Sequence, residues 1–250
     1  MAGTQHQAAE LDGDPRLPLY RRLQVTIARM ISDGAYKPGL ALPAELEIAR
    51  FYNLAPGTAR KAIEELVNEG LLERRHGAGT FVRRPNFNNS MLRFFRFRDA
   101  SGKQLTPESR ILSRSIVSAT DKLATDLSML PGEKVIHLHR VRLWDGDVRL
   151  VEDIYLPFAL FEPILEIGEA DIGPLLYPVY EAHCGQLVTF IKEEISITNV
   201  APDDATLLGL QPSQPAVVID RLALNPSRTP IEWRRSRGDA HRFHYVVEGA

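Results

Sequence analysis

The sequence predicts an α+β protein of two units: a small helical unit closed by a β-hairpin, then a larger, antiparallel-rich α+β unit. Three observations carry this. Apolar residues recur at helical spacing from Leu19 to about Glu69, which reads as three short helices. Beyond residue 107 the pattern becomes strand-like segments separated by short helical ones, without the regular strand–helix alternation of a parallel sheet. Charge divides along the same line: residues 16–84 hold 12 Lys/Arg against 7 Asp/Glu, whereas residues 85–250 hold 18 against 22. A basic unit joined to a mildly acidic one suits a nucleic-acid-binding domain with a regulatory domain, although an excess this small does not identify one.

The 250 residues are 44% hydrophobic and 25% charged, with a net charge of −2, which argues against disordered and fibrous classes. No apolar run is long enough to span a bilayer, and Met1–Pro18 lacks the apolar centre of a secretory signal, so no membrane association and a cytoplasmic location are expected. The single cysteine, Cys184, cannot form an intrachain disulfide and reads as structural.

Residues 1–17, polar and rich in Gly, Asp and Gln, are expected to form a flexible arm. In the first helix Leu19, Leu23, Ile27, Met30 and Ile31 form the apolar face, and Gly34 with Pro38-Gly39 ends it. A second helix fits Ala44–Tyr52, with Ile48, Ala49 and Tyr52 turned inward. Only Asn53-Leu54-Ala55 separate it from a third, running from Pro56 to about Glu69 with Ala59, Ala62, Ile63, Leu66 and Val67 inward. Proline is tolerated in that first turn because its missing N–H would have had no helical acceptor. Two helices joined by so short a break have helix-turn-helix geometry. Strands at Leu71–Arg74 and Thr80–Val82, around the tip His76-Gly77-Ala78-Gly79, form a hairpin placed as a wing. Residues 18–84 therefore read as a winged helix-turn-helix domain.

Residues 85–107 read as a linker. Its alternation of Phe94, Phe95, Arg96, Phe97 and Arg98 could stack on nucleic-acid bases, but packing against the second domain is the simpler explanation. In residues 108–250, strands are expected at Ser109–Val117, Lys134–Trp144, Val148–Leu156, Leu187–Thr198, Ala216–Leu224, Pro230–Arg235 and Arg242–Val247. Helices are expected at Asp121–Leu127, Gly173–His183 and Asp203–Leu208.

A weak internal repeat lays residues 121–153 over 203–233 with one gap, placing Pro131 on Pro212, Arg140 on Arg221, Arg142 on Ala223 and Glu152 on Glu232. It implies two similar halves whose sheets meet, and a cleft between such halves is a natural ligand site. Alternate residues of a strand share a face, so Arg140 and Arg142 can form a socket for a carboxylate or phosphate. Glu152 and Glu232 either balance them or bind hydroxyl or ammonium groups of a ligand; structural salt bridges would give the same composition.

The run PAELEIARFYNLAPGTARKAIEELVNEGLLERRHGAGTFV resembles the winged helix-turn-helix of the GntR superfamily of bacterial transcription regulators, over about Leu19–Val82. The matching order is Pro38-Gly39, Leu42-Pro43-x-Glu45, Thr58 and Arg60 early in the third helix, Glu69-Gly70-Leu71, and Gly77-x-Gly79-Thr80-Phe81-Val82. The chain departs from the pattern where Ala44-Glu45-Leu46 replaces the common Ser-Glu-Arg, Ala55-Pro56 replaces Ser-Arg, and Ala78 replaces the wing arginine. Losing the serine cap costs about 1 kcal/mol. The resemblance implies a double-stranded DNA operator as partner, with Thr58 and Arg60 in the recognition helix and Arg60 reading a base edge. Lys61, Arg74, Arg75 and His76 are placed for phosphates, beside Gly77, Gly79 and Thr80 of the wing. An ordinary solvated strand edge also accounts for Arg74 and Arg75.

The segments HRVRLWDG, EDIYLP, Leu208–Pro212 and TPIEWRRSRGD resemble the effector-binding domain of the HutC subfamily, which has a chorismate-lyase-like fold. This implies that Arg140, Arg142, Glu152 and Glu232 line the pocket of a small anionic or zwitterionic effector. It also implies a homodimer on an inverted-repeat operator, with repression as the family's usual outcome. Ser236 stands where an aromatic residue often precedes the Arg-Gly-Asp-like segment. No cofactor or catalytic residues are expected, since no Gly-x-Ser-x-Gly elbow, phosphate loop or His-Glu-x-x-His motif occurs. No metal site is expected either, because His137-x-His139 and His241-x-x-His244 suggest no third ligand. A metabolite-independent architectural DNA binder and a lyase-like enzyme are the alternative readings.

Overall fold

A computed structural model describes residues 10–83 and 108–243. The expected linker, with its Phe/Arg alternation, and most of the strand expected at Arg242–Val247 lie outside the described residues. The chain divides into two compact units, residues 1–85 and 86–250.

In the first unit, helix α1 (Leu19–Ser32) buries Leu23, Ile27, Ala28 and Ile31, α2 (Glu45–Phe51) buries Ile48 and Ala49, and α3 (Pro56–Asn68) buries Ala59, Ala62, Ile63 and Leu66. Each fully buried Leu or Ile here contributes about 1.5–3 kcal/mol. Leu19, expected on the inward face, is half exposed as the first residue of α1. Ala55 caps α3 without a side-chain hydrogen bond, and Pro56 occupies the first turn. Strands β1 (Leu72–Arg75) and β2 (Gly79–Val82) pair antiparallel, with Arg75 opposite Gly79. Gly77 and Gly79 have φ of 70° and 111°, the left-handed backbone this tip requires. The hairpin gains a third short edge, because Ala41 bridges Phe81 and the Leu42 N–H donates to the Thr80 carbonyl.

The described end of the expected flexible arm is tied along α1. The Asp12 N–H donates to Thr26 Oγ1 at 2.8 Å, Arg22 donates to the Leu11 carbonyl, and the Asp12 carboxylate pairs with Arg29.

The second unit is a six-stranded antiparallel sheet. Its strands are β3 (Glu108–Ser118), β4 (Lys134–Trp144), β5 (Asp147–Pro157), β6 (Phe190–Asn199), β7 (Pro215–Leu224) and β8 (Pro230–Asp239), in the spatial order β3-β4-β5-β8-β7-β6. That order is the internal repeat made visible: each half is an outer strand beside a hairpin, and the halves join where β5 pairs with β8. Helices α4 (Asp121–Leu127) and α7 (Pro202–Leu208) precede β4 and β7 as repeat partners. Between the halves, α5 (Phe158–Phe161), two 3-10 turns and α6 (Leu176–Cys184) form a helical layer. Phe161, Ile164, Tyr177 and Tyr180 of this layer pack on Ile136, Leu138, Ile154 and Leu156 of the sheet. The opposite face is covered by α4 near Val135 and by Leu207 and Leu208 near Val141 and Val151.

Two expectations need correction. Arg242 lies in a 3-10 turn, Ala240–Arg242, because β8 continues to Asp239 before the chain leaves the sheet. The pairing register also shifts the repeat by two residues. Arg140 faces Glu152 across β4–β5, but Arg221 faces Arg234 across β7–β8, and Glu232 faces Ala223, the counterpart of Arg142. The counterpart of Glu152 is therefore Arg234, and that of Glu232 is Leu150. A one-gap alignment misses this because the turns differ in length: four residues lie between the paired Leu143 and Val148 and five between the paired Leu224 and Pro230, whereas the alignment shortens the second copy there.

Candidate effector site and nucleic-acid interface

Strand alternation brings Arg140, Arg142, Glu152, Arg221, Glu232, Arg234 and Ser236 to one buried region, under the helical layer that supplies Tyr177 and Tyr180. All four residues expected to line a pocket are there. Glu152 is the hub: its Oε2 accepts from Arg140 Nε at 2.6 Å and lies 3.9 Å from Arg142 Nη1, while Oε1 accepts from Ser236 Oγ at 2.8 Å and lies 3.5 Å from Arg234 Nη1. Glu232 forms a second node, accepting from Tyr180 Oη at 2.6 Å and Arg234 Nη2 at 2.9 Å, with Tyr177 Oη at 3.4 Å. Arg221 donates to Glu193 at 2.7 Å from its Nε.

Arg140, Arg142, Arg221 and Arg234 face Glu152, Glu232 and Glu193, four cations against three anions among the described residues. Burial alone would push the Glu152 carboxyl up, but Arg140, Arg234 and Arg142 together hold it well below the ordinary glutamate range. Arg140 moves down instead, because burial outweighs the pull of a carboxylate it shares with other arginines. Burial and then the charge of Arg140 move Arg142 further down. Burial works against Arg234 too, yet Glu232 and Glu152 hold it well above the ordinary arginine value. The cationic form is thus disfavoured at Arg140 and Arg142, where an added anion would be stabilised. Arg140 Nη2 and Arg234 Nε are buried without a hydrogen-bond acceptor among the described residues.

Sequence reasoning left out Arg234, Tyr177 and Tyr180. Period-two alternation from Glu232 through Arg234 to Ser236 was a usable signal on β8. Tyr177 and Tyr180, three apart on a helix, could not be placed without knowing which face of the sheet α6 covers.

In the first unit, Thr58, Arg60 and Lys61 lie on the turns of α3 away from its buried face, and Arg60 is 70% exposed. The carboxylate of Glu45, at the start of α2, gathers Arg60 at 3.3 Å and Arg74 at 2.9 Å. Lys61 Nζ stands 4.1 Å from the centre of the Tyr20 ring. Arg75 lies over Phe81 and pairs with Glu73 at 2.7 Å, and His76 is exposed at the tip. The helix and the hairpin thus present an exposed, mostly cationic surface.

Residues 19–82 match the bacterial regulatory proteins of the gntR family, and residues 102–244 match the UTRA domain. The chain belongs to the GntR family and carries a UTRA domain. It is similar to the HTH-type transcriptional repressor NagR of Bacillus subtilis, 29% identical over 92% of this chain and 95% of that protein. It is also similar to the mannosyl-D-glycerate transport/metabolism system repressor MngR of Escherichia coli, 31% identical over 93% of this chain and 87% of that one. The crystal structure of PhnF from Mycobacterium smegmatis superposes with a TM-score of 0.55 at 26% identity, covering 91% of this chain and 99% of that one. The protein is therefore a DNA-binding transcription regulator with an effector domain. Among its described residues, no helix is long and apolar enough to cross a membrane.

Proposed function

We propose that the regulator is a repressor that binds an inverted-repeat, double-stranded operator as a homodimer, and that a small anionic or zwitterionic metabolite bound over Arg140, Arg142 and Arg234 changes its operator affinity. The observation that carries this reading is the buried arginine–glutamate cluster, with donors at Arg140 Nη2 and Arg234 Nε lacking an acceptor among the described residues. An unsatisfied buried donor costs about 1–3 kcal/mol, which a carboxylate or phosphate would recover. A zwitterion would place its anionic group on the arginines and its ammonium or hydroxyl groups toward Glu232.

On DNA, α3 enters the major groove with Arg60 on a base edge and Thr58 beside it. Lys61, Arg74, Arg75 and His76, with Gly77, Gly79 and Thr80 of the wing, hold the phosphates. Engaging DNA requires Arg60 and Arg74 to leave Glu45, which costs little because exposed ion pairs are worth about 0–1 kcal/mol. A bidentate contact to guanine returns about 1–3 kcal/mol. Dimerisation lets two half-sites match the two-fold axis of an inverted repeat.

The test is a thermal-shift screen over anionic metabolites, including the mannosyl-D-glycerate for whose system MngR is named, with sedimentation at micromolar protein. A dimer stabilised by at least one anionic compound is expected. A monomer both free and with operator defeats the dimeric part, and indifference to every anion defeats the effector part.

A further inference from the structure

On the side of the sheet opposite the arginines, β4 and β5 carry a second cluster. His137 and His139 alternate with Leu138 and Arg140, so both project to that other face. His139 stands directly across from Asp153 in the β4–β5 register, and His137 lies one same-face step along β4. Asp153 Oδ1 is 2.7 Å from His137 Nε2 and 3.0 Å from His139 Nδ1. One ligand atom from each of the three residues lies within 4.8 Å of the others. Their side chains are 21%, 25% and 16% exposed, so the cluster is held by the sheet yet open to ions from solvent.

We propose that His137, His139 and Asp153 form a site for a divalent transition-metal ion, with Zn²⁺ the best match. Zinc bonds of about 2.0–2.2 Å to nitrogen and oxygen place tetrahedral ligand atoms roughly 3.3 Å apart. The two contacts to Asp153 Oδ1, at 2.7 Å and 3.0 Å, are each shorter than this and open slightly around the ion. Three protein ligands leave a fourth position for water, and two imidazoles favour zinc, copper or nickel over magnesium or calcium.

The surroundings support this ligand set. The other carboxylate oxygen of Asp153 accepts from Arg237 Nη1 at 2.7 Å, and Arg237 Nε lies 3.3 Å from Asp204. Arg237 thus fixes the carboxylate with Oδ1 turned to the histidines, the orienting role that outer partners play around metal ligands. With neutral imidazoles, Asp153, Asp204 and Arg237 sum to one negative charge, which attracts a divalent cation. The His137 ring stacks on Tyr155 with centroids 4.5 Å apart and planes 5° from parallel, so little rotamer freedom remains to be lost on binding. The site shares β4 and β5 with the arginine cluster but none of its side chains.

The test is titration of the tag-free full chain with Co²⁺, read by visible absorption, and competition with Zn²⁺. The wild type is expected to bind one Co²⁺ per chain with the spectrum of nitrogen and oxygen donors, no thiolate charge-transfer band, and displacement by Zn²⁺. His137→Gln/His139→Gln should abolish this signal, and Asp153→Asn should weaken binding at least tenfold. His241→Gln and Cys184→Ser should keep both stoichiometry and spectrum. Failure of the wild type to bind stoichiometrically overturns the proposal whatever the variants do. An unchanged spectrum in the double histidine variant also overturns it.

Discussion

Replacing Glu152 with glutamine isolates the electrostatic logic of the arginine cluster, because it keeps the shape of the side chain and removes its charge. The carboxylate accepts from Arg140 at 2.6 Å and from Ser236 at 2.8 Å, and lies 3.5 Å from Arg234 and 3.9 Å from Arg142. Its loss leaves these guanidiniums sharing a site in which Glu232 accepts from Arg234 alone among them. Removing one partner of a buried ion pair costs about 3–5 kcal/mol. For a domain of this size that is a fall in Tm of roughly 6–20 °C.

The pH dependence has a defined sign. The Glu152 carboxyl is held below the ordinary glutamate value of 4.5, so its contribution is complete at neutral pH and fades only as pH falls below that value. Glu152→Gln should therefore be less stable than the wild type at pH 7, with the gap narrowing in strong acid. Added phosphate or sulfate should recover more Tm in the variant than in the wild type, since the cluster has gained one positive charge. Calorimetry across pH, with and without phosphate, reads all three effects. A neutral-pH loss below about 1 kcal/mol together with no extra response to phosphate would refute the reasoning.

Three further outcomes follow from the same geometry. Arg60→Ala should weaken operator binding by about 1–3 kcal/mol and relax preference at one base pair, while Arg75→Ala should weaken operator and random duplex alike; fluorescence anisotropy on operator, point-mutated operator and random DNA separates the two. Glu45→Gln should change stability by less than about 1 kcal/mol, because its pairs with Arg60 and Arg74 are exposed, and should raise affinity for random duplex by releasing two cations near the phosphates. Gly238→Ala places a Cβ 2.7 Å from the Arg149 carbonyl oxygen and 2.8 Å from Leu150 Cδ2, where β8 passes β5; denaturant unfolding should show a loss of about 1–3 kcal/mol.

The first unit was legible because its helices are short and amphipathic and its wing is marked by glycines. Ala59, Ala62, Ile63 and Leu66 are all fully buried, as their spacing requires. The site was legible only as far as period two reaches along one strand. Arg140 and Arg142 share a face by alternation, but the partners they meet depend on register, which long-range pairing and turn length determine. Placing Glu232 on Glu152 hid Arg234, which occupies the level that the alignment gave to a glutamate. The same limit hid the third member of the histidine cluster: Asp153 is 14 residues from His139 in sequence and directly opposite it in the sheet.

Binding in the effector domain amounts to regulation only if the ligand distinguishes the DNA-competent arrangement from the incompetent one. The most direct test is operator titration with and without an anionic compound found by screening, in the wild type, Arg140→Ala and Glu232→Ala. A coupling of about 1–3 kcal/mol predicts a change of roughly 5–150-fold in wild-type operator affinity, absent or sharply reduced in both variants. A compound that binds the wild-type domain yet shifts operator affinity equally in all three proteins, or in none, would contradict the account.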